Sequence, residues 1–408
     1  MNPIIFAFPV FLLTMVVEAW LLRRRGLPGY DVPDAVTSLH AGVLSQIAGV
    51  FTKLLTFSIY VLVFQKFALV AWPTDNPLLW VLALLLYDFG YYWAHRLGHE
   101  VGIMWAAHIV HHSSEHFNLS TALRQSSTGG LFGWIVFLPL AVIGVPPAML
   151  AIVGLTNLLY QYWVHTELIG RLGWLEGIIV TPSNHRVHHG QNDYCIDRNY
   201  GGIFIIWDRL FGTYADERAA EKVVYGVRKP VGSFNPLWVN LHHYADLAAQ
   251  AAQVPGWRQK LHVWLAPPGG WHDEHVRPFE AAAFVRHDRA SLVEVRRYAV
   301  AHFVALNLML VHFLMVQAQL PMAMRLAYAA VILGSAVTIG GLLDGARAAF
   351  RIEALRLVAV IAAIIVSPAW FTLATPLPAR VLMIAALGCC LVWTWRSQPA
   401  AARAALAE

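Results

Sequence analysis

The stretch Leu84-Leu85-Leu86-Tyr87-Asp88-Phe89-Gly90-Tyr91-Tyr92-Trp93-Ala94-His95-Arg96-Leu97-Gly98-His99 begins as an apolar run and ends in two imidazoles four residues apart. The run starts near position 74, which gives it the roughly 20 apolar residues that a membrane helix needs. Positions i and i+4 share a helix face, so His95 and His99 point the same way at one end of that helix. An HxxxH alone is a weak signal. It gains weight from His108-Ile109-Val110-His111-His112 and His185-Arg186-Val187-His188-His189, two HxxHH motifs that each aim several imidazoles into one small volume. Ten of the 19 histidines lie between positions 95 and 189, less than a quarter of the chain.

Composition sets the solvent. Of 408 residues, 58% are hydrophobic and 13% charged, against about 45–50% and about 25% in ordinary soluble domains. A mean hydropathy of +0.54 agrees. So few charges cannot cover a soluble globule of this size, which excludes a soluble enzyme, a disordered chain and a disulfide-stapled secreted domain. The net charge of +5 is too small and too scattered for a nucleic-acid binder. Cys195, Cys389 and Cys390 supply neither a disulfide framework nor a CxxC site.

Apolar runs predict spans at about 3–22, 43–65, 74–94, 129–145, 148–166, 298–316, 322–342, 354–372 and 379–395. The tight Gly144-Val145-Pro146-Pro147 link makes the fourth and fifth a candidate hairpin that enters the bilayer only partly. Short inside segments would carry Arg23, Arg24, Arg25, Arg347, Arg351, Arg356, Arg396 and Arg403, and outside segments Lys66, Arg325 and Arg380. The positive-inside rule then places the N-terminus outside and the polar stretches 95–128 and 167–296 on the cytoplasmic side. The expected fold is an all-α polytopic membrane bundle with a cytosolic helical cap holding a histidine-rich di-metal site. Its expected parts are N-terminal spans over 1–72, a catalytic core with its cap over 73–245, a connecting segment over 246–297, C-terminal spans over 298–396 and a flexible tail over 397–408.

Neutral imidazole is the commonest protein metal ligand. Eight motif histidines exceed the four ligands of a tetrahedral site, so two ions sharing the cluster account for them better. The expected ligands are His95, His99, His108, His111, His112, His185, His188 and His189. His165, at the end of the 148–166 run, joins them as an ionisable group at membrane depth. Gln161, one turn earlier, is a candidate for weak or water-mediated binding. Repeated carboxylate ligands are missing, unlike soluble di-iron bundles. Carboxylates are expected one shell out, fixing imidazole tautomers. Asp88 and Glu100 are the leading candidates, ahead of Glu115, Asp193, Asp197 and Asp208. His116 falls outside the spacing. The remaining histidines, among them His242, His243, His272, His275 and His302, read as surface or interface groups.

The order HxxxH, HxxHH, lone histidine, HxxHH resembles the fatty acid hydroxylase and sterol desaturase superfamily of membrane di-iron enzymes. Longer words resemble its alkylglycerol monooxygenase branch: Tyr87-Asp88-Phe89-Gly90-Tyr91-Tyr92-Trp93-Ala94-His95-Arg96, Asn118-Leu119-Ser120-Thr121-Ala122-Leu123-Arg124-Gln125-Ser126 and Ile206-Trp207-Asp208-Arg209-Leu210-Phe211-Gly212-Thr213. The resemblance implies two iron ions on the histidines above and an acidic residue at Glu100. It also implies O2-dependent hydroxylation of the ether-linked carbon of an alkylglycerol, with release of a fatty aldehyde and tetrahydrobiopterin as reductant. The sequence has no GxGxxG fingerprint after a strand, so electrons are expected from a diffusible reductant or a separate partner. The alternatives are a sterol or carotenoid desaturase, an acyl-chain hydroxylase, a histidine-lined metal transporter and a heme electron carrier. Transporters place polar groups near the bilayer midplane, and these histidines collect at one end.

Overall fold

Three of the long helices begin where a proline and a capping side chain coincide. Asp31 accepts from the Asp34 amide with Pro33 in the first turn, Asn76 caps ahead of Pro77, and Asn235 caps ahead of Pro236. The computed structural model describes residues 4–269, 278–287 and 293–397. The expected tail beyond 397, and His272 and His275, lie outside the described residues.

The chain runs through α1 (Ile4–Arg24), α2 (Val32–Phe67), α3 (Pro77–Glu100), α4 (Gly102–His112) and α5 (Leu119–Ala122). It continues with α6 (Leu138–Ile143), α7 (Pro147–Trp163), α8 (Pro182–His188), α9 (Ile206–Phe211), α10 (Pro236–Gln253) and α11 (Trp257–Leu265). It closes with α12 (Val293–Val316), α13 (Met322–Leu343), α14 (Arg347–Val366) and α15 (Leu377–Arg396). Among the described residues the sheet content is one hairpin, Ala369–Trp370 against Leu373–Ala374. The fold is all-α, as expected.

Six described helical stretches are long and apolar enough to cross a membrane: Phe6–Arg24, Val32–Thr52, Pro77–Glu100, Val293–Gln319, Met322–Leu343 and Leu377–Arg396. The protein is a multi-pass membrane protein. The span expected at 43–65 is the later part of a 36-residue helix, which at 1.5 Å per residue is about 54 Å long and outruns a bilayer core. The pair expected as a hairpin that enters the bilayer only partly consists of short helices. Residues 129–137 form two 3₁₀ turns before the six-residue α6, and α7 has 17 residues. Gly144, at φ 104°, makes the bend between α6 and α7, where a Cβ would meet the Val70 carbonyl. The run expected at 354–372 ends at Val366, and Arg347, Arg351, Glu353 and Arg356 make the first half of α14 polar.

The C-terminal helices dock on α2. Val43, Leu44 and Ile47 pack against Leu306, Leu310 and Phe313 of α12 and Tyr328 and Ile332 of α13. A buried polar knot ties α12, α13 and α14 together. The Glu353 carboxylate accepts from Tyr298 Oη (2.6 Å), Thr338 Oγ1 (2.8 Å) and Arg356 Nε (2.7 Å), and Arg356 also reaches His302 Nε2 (2.9 Å). Breaking a buried ion pair from one side costs about 3–5 kcal/mol, because the other charge is stranded. Glu353→Leu is therefore expected to destabilise the protein by about that much, and Glu353→Leu with Arg356→Met by clearly less. Thermal unfolding in detergent checks the order, and a double variant no more stable than the single one would contradict it.

Candidate metal centre

Four segments bring nine imidazoles together. α3 carries His95 and His99 on its last turns, and α4 carries His108, His111 and His112. His165 follows α7. α8 carries His185 and His188, with His189 as its C-cap. The short α8 forms because Thr181 and Asn184 make a reciprocal capping box around Pro182. Arg186 then locks the neighbouring segment: it pairs with Glu217 through two bonds of 2.7 Å and donates to the carbonyls of Thr166 (3.0 Å) and Ile169 (2.8 Å).

The nine divide into two groups. His95, His99, His108, His112 and His188 form one; His111, His165, His185 and His189 form the other; within each, all ligand atoms lie within 4.8 Å of one another. The split runs through the second motif: His111 goes to one group and His112 to the other, because adjacent helical residues point about 100° apart. The rings of His112 and His189 stack at 4.3 Å and 20°, so the two groups touch.

The donor set suits metal ions. His95 Nε2 and His108 Nε2 are 2.9 Å apart, His112 Nε2 and His108 Nε2 3.1 Å, His165 Nε2 and His185 Nε2 2.9 Å, and His165 Nε2 and His111 Nε2 3.2 Å. Nitrogens about 2.1 Å from one ion and at right angles to each other are about 3.0 Å apart. Buried imidazole nitrogens His99 Nε2, His188 Nε2 and His185 Nδ1 have no protein partner. Burial and the neighbouring imidazoles hold His108, His112, His165, His185, His188 and His189 well below the usual range, and His111 is lowered to about 4. Both effects favour the neutral imidazoles, which present lone pairs.

Backbone carbonyls fix the tautomers. His95 Nδ1 donates to Tyr200 O (2.8 Å), His188 Nδ1 to Arg198 O (2.9 Å), His111 Nδ1 to Arg124 O (3.0 Å) and His165 Nδ1 to Gln161 O (2.7 Å), which leaves each Nε2 for an ion. Of the carboxylates expected around the imidazoles, Asp197 comes nearest, 3.8 Å from His99 Nδ1. Asp88 makes no hydrogen bond to an imidazole. Its carboxylate accepts from Asn157 Nδ2 (2.6 Å), the amides of Ile203 (2.7 Å) and Phe204 (3.0 Å) and Trp207 Nε1 (2.9 Å). Asp208 accepts from the amides of Tyr200 (2.7 Å) and Gly201 (2.8 Å). Both acids thus hold the loop whose carbonyls hold His95 and His188, one step further from the centre than expected. Glu100 pairs with Arg96 at 2.9 Å and lies 3.5 Å from the Tyr200 hydroxyl. Glu115 accepts from the His287 amide and Asp193 pairs with Arg228.

Gln161 is spent elsewhere: its Oε1 accepts from Tyr91 Oη (2.7 Å) and its Nε2 donates to Asn157 Oδ1 (2.6 Å). His116, His242 and His243 belong to neither group. Sequence reasoning missed the Arg198-to-Phe204 loop. Its signal was Asn199-Tyr200-Gly201-Gly202, with left-handed backbone at Asp197 (φ 56°) and Asn199 (φ 59°). Gly202 faces Asp88 so closely that a Cβ would lie 2.7 Å from both Asn157 Nδ2 and Asp88 Oδ1. Gly202→Ala is expected to lower metal retention by about 10–100-fold, as loss of an outer partner does. Metal analysis after dialysis against a chelator checks it; unchanged retention would contradict the link between loop and centre.

An apolar cavity of about 340 Å³ opens on His108, His111 and His165 and reaches Phe8 and Phe11 of α1 and Leu310 of α12. Its size is that of a ligand pocket.

The chain belongs to the fatty acid hydroxylase family: the model of that description matches residues 80–213, which include all nine imidazoles and the loop that braces them. It is 39% identical to the alkylglycerol monooxygenase of Xenopus tropicalis over 360 residues, 86% of this chain and 79% of that protein. It is 40% identical to that of Danio rerio over 365 residues, 87% and 80% of the two chains. The human alkylglycerol monooxygenase is 46% identical over 266 residues, and there the alignment spans 64% of this chain and 59% of the human protein. No solved structure matches the chain.

Proposed function

We propose that this protein is a di-iron lipid monooxygenase that hydroxylates the ether-linked carbon of an alkylglycerol. The observation that carries the reading is the pair of imidazole groups opening onto one apolar cavity inside a membrane bundle. The alkylglycerol monooxygenases to which the chain is similar supply the substrate class. Bound iron would supply O2 activation, held by the five and the four histidines. The reaction consumes O2, two electrons and two protons, places one oxygen atom on the ether carbon and releases the other as water. The resulting hemiacetal splits into a fatty aldehyde and a glycerol.

The protein's part is placement. His108, His111 and His165 sit at the cavity wall, so a lipid lying there presents a C–H bond to the centre while its tail stays among apolar side chains. Those walls keep water away from reactive species. The carbonyls of Tyr200, Arg198, Arg124 and Gln161 hold the imidazoles in one orientation, so little reorganisation accompanies the reaction. The electrons come from outside the chain, with tetrahydrobiopterin as the proposed reductant. The arginine distribution supports an outside N-terminus and a centre at the cytoplasmic face.

The test is anaerobic loading with ferrous iron, followed by O2 uptake and aldehyde trapping with 1-O-alkylglycerol, with and without tetrahydrobiopterin. Uptake and aldehyde that both require lipid and reductant are expected. Oxidation of a sterol or an acyl chain with ether lipid untouched would move the protein elsewhere in the family. Metal flux in liposomes without O2 consumption would remove it from the oxygenases.

A further inference from the structure

One carboxylate interrupts the apolar run of α1. Glu18 is the sole acid of that helix and is 2% exposed, whereas Leu13, Val16, Val17 and Trp20 around it face outward. An ionisable group inside a membrane helix is costly and needs partners. Glu18 has three, and all come from outside α1. Its carboxylate accepts from the Tyr30 hydroxyl, from the Leu119 amide (2.9 Å) and from Thr166 Oγ1 (2.5 Å). The residue lies outside the stretch 80–213 that matches the family.

Two of the three bonds lead to the four-histidine group. Thr166 directly follows His165, and both lie past the end of α7, so no helix fixes them. His165 Nε2 sits 2.9 Å from His185 Nε2 and 3.2 Å from His111 Nε2, and the place of its ring depends on where residue 166 stands. Thr166 is gripped on both sides: its carbonyl accepts from Arg186 (3.0 Å) and its hydroxyl donates to Glu18. Leu119 opens α5, and its amide is one of those that a helix start leaves without an intrahelical acceptor. The same short run leads to Arg124, whose carbonyl holds His111 Nδ1 at 3.0 Å. Neighbouring bonds reach the same segment: Thr14 Oγ1 lies 2.8 Å from Tyr162 Oη, and Arg25, just past α1, donates to the Leu168 carbonyl (3.0 Å).

We propose that Glu18 is a positioning residue of the metal centre. Through Thr166 and Leu119 it sets His165 and His111, and with them the four-histidine group. A helix that served only as an anchor would need no carboxylate, since an aliphatic side chain meets lipid and neighbouring helices at no desolvation cost. The five-histidine group has a separate brace, the loop that offers the Arg198 and Tyr200 carbonyls, and the three bonds of Glu18 do not touch that loop. Loss of the carboxylate therefore loosens one ion site and spares the other. The inference rests on the two imidazole groups and not on the reaction proposed for them.

The test loads the whole protein with zinc, dialyses it against rising chelator and measures metal per chain. His185→Ala marks which release step belongs to the four-histidine group. Glu18→Leu and Thr166→Val are each expected to move that step to about 10–100-fold lower chelator, as loss of an outer partner does, and the other step by less than about twofold. Thr166→Ser keeps the hydroxyl and should release metal like the parent. So should Tyr30→Phe, whose bond leads away from the centre. A general loss of stability would move both steps together. Such joint movement, a single step in the parent, or an unmoved four-histidine step in Thr166→Val overturns the proposal. Where Glu18→Leu fails to accumulate, Thr166→Val decides alone, because it deletes one hydroxyl and leaves the carboxylate two donors. Zinc release needs no turnover, so a protein that oxidises no ether lipid would sink the functional reading and leave this test standing.

Discussion

Replacing His112 with alanine is expected to empty the centre of metal and to lower O2-dependent turnover at least about 100-fold. His112 belongs to the five-membered group, lies 3.1 Å from His108 through the two Nε2 atoms, and stacks on His189 of the other group at 4.3 Å. Its loss removes an imidazole from one group and a packing face from an imidazole of the other. Even an outer partner of a metal ligand costs 10–100-fold in affinity or activity when it is removed, so a direct ligand at the seam should cost no less. His116→Ala is the matched comparison. It removes an imidazole from the same stretch of chain but from neither group, and should change turnover less than about twofold. Iron per chain by elemental analysis, beside turnover, decides the matter. A His112→Ala protein with full metal and full activity would refute the division into five and four.

Asp88→Asn should destabilise the protein by about 3 kcal/mol or more and weaken metal binding about 10–100-fold. The carboxylate has four donors aimed at it, from Asn157, Ile203, Phe204 and Trp207, at 2.6–3.0 Å. An asparagine offers one oxygen and turns an NH2 toward the remaining donors. At least two buried donors then lose their acceptor, at about 1–3 kcal/mol each. The loop they belong to carries the Tyr200 carbonyl that orients His95, so the damage reaches the five-membered group first. Glu100→Gln should have a small effect by comparison, because that side chain is partly exposed and its ion pair with Arg96 is a surface i,i+4 pair. Thermal unfolding and chelator competition read the two effects separately. An Asp88→Asn protein that unfolds and releases metal like the parent would show that the carboxylate does not brace the loop.

The histidine spacing was legible because helical geometry maps i, i+3 and i+4 directly onto one face, and His165 was legible because an imidazole at membrane depth is costly without a role. The division of the second motif between two imidazole groups was less visible, since it depends on where α8 crosses α4. The tautomer-fixing partners were invisible for a different reason. Every residue has a carbonyl, so nothing in the letters of Arg198, Tyr200, Arg124 or Gln161 marks it as the acceptor. Asp88 stood out as a buried acid, but its actual duty depends on a loop more than 110 residues further along the chain. The hairpin expected over 129–166 was legible from its Gly144-Val145-Pro146-Pro147 link, whereas the run at 354–372 fell short as a span because charged residues occupy the first half of α14.

The two groups of imidazoles lean on different supports. His95 and His188 lean on carbonyls of one loop, whereas His111 and His165 lean on Arg124, clasped by Asp34 at 3.4 Å, and on Gln161 at the end of α7. Mild chelation or warming should therefore loosen the first ion sooner than the second. Purified material would then be a blend of fully and half-loaded molecules. Its bulk specific activity would follow the fraction carrying both ions, and a stoichiometry of one iron per chain would describe a sample rather than a molecule.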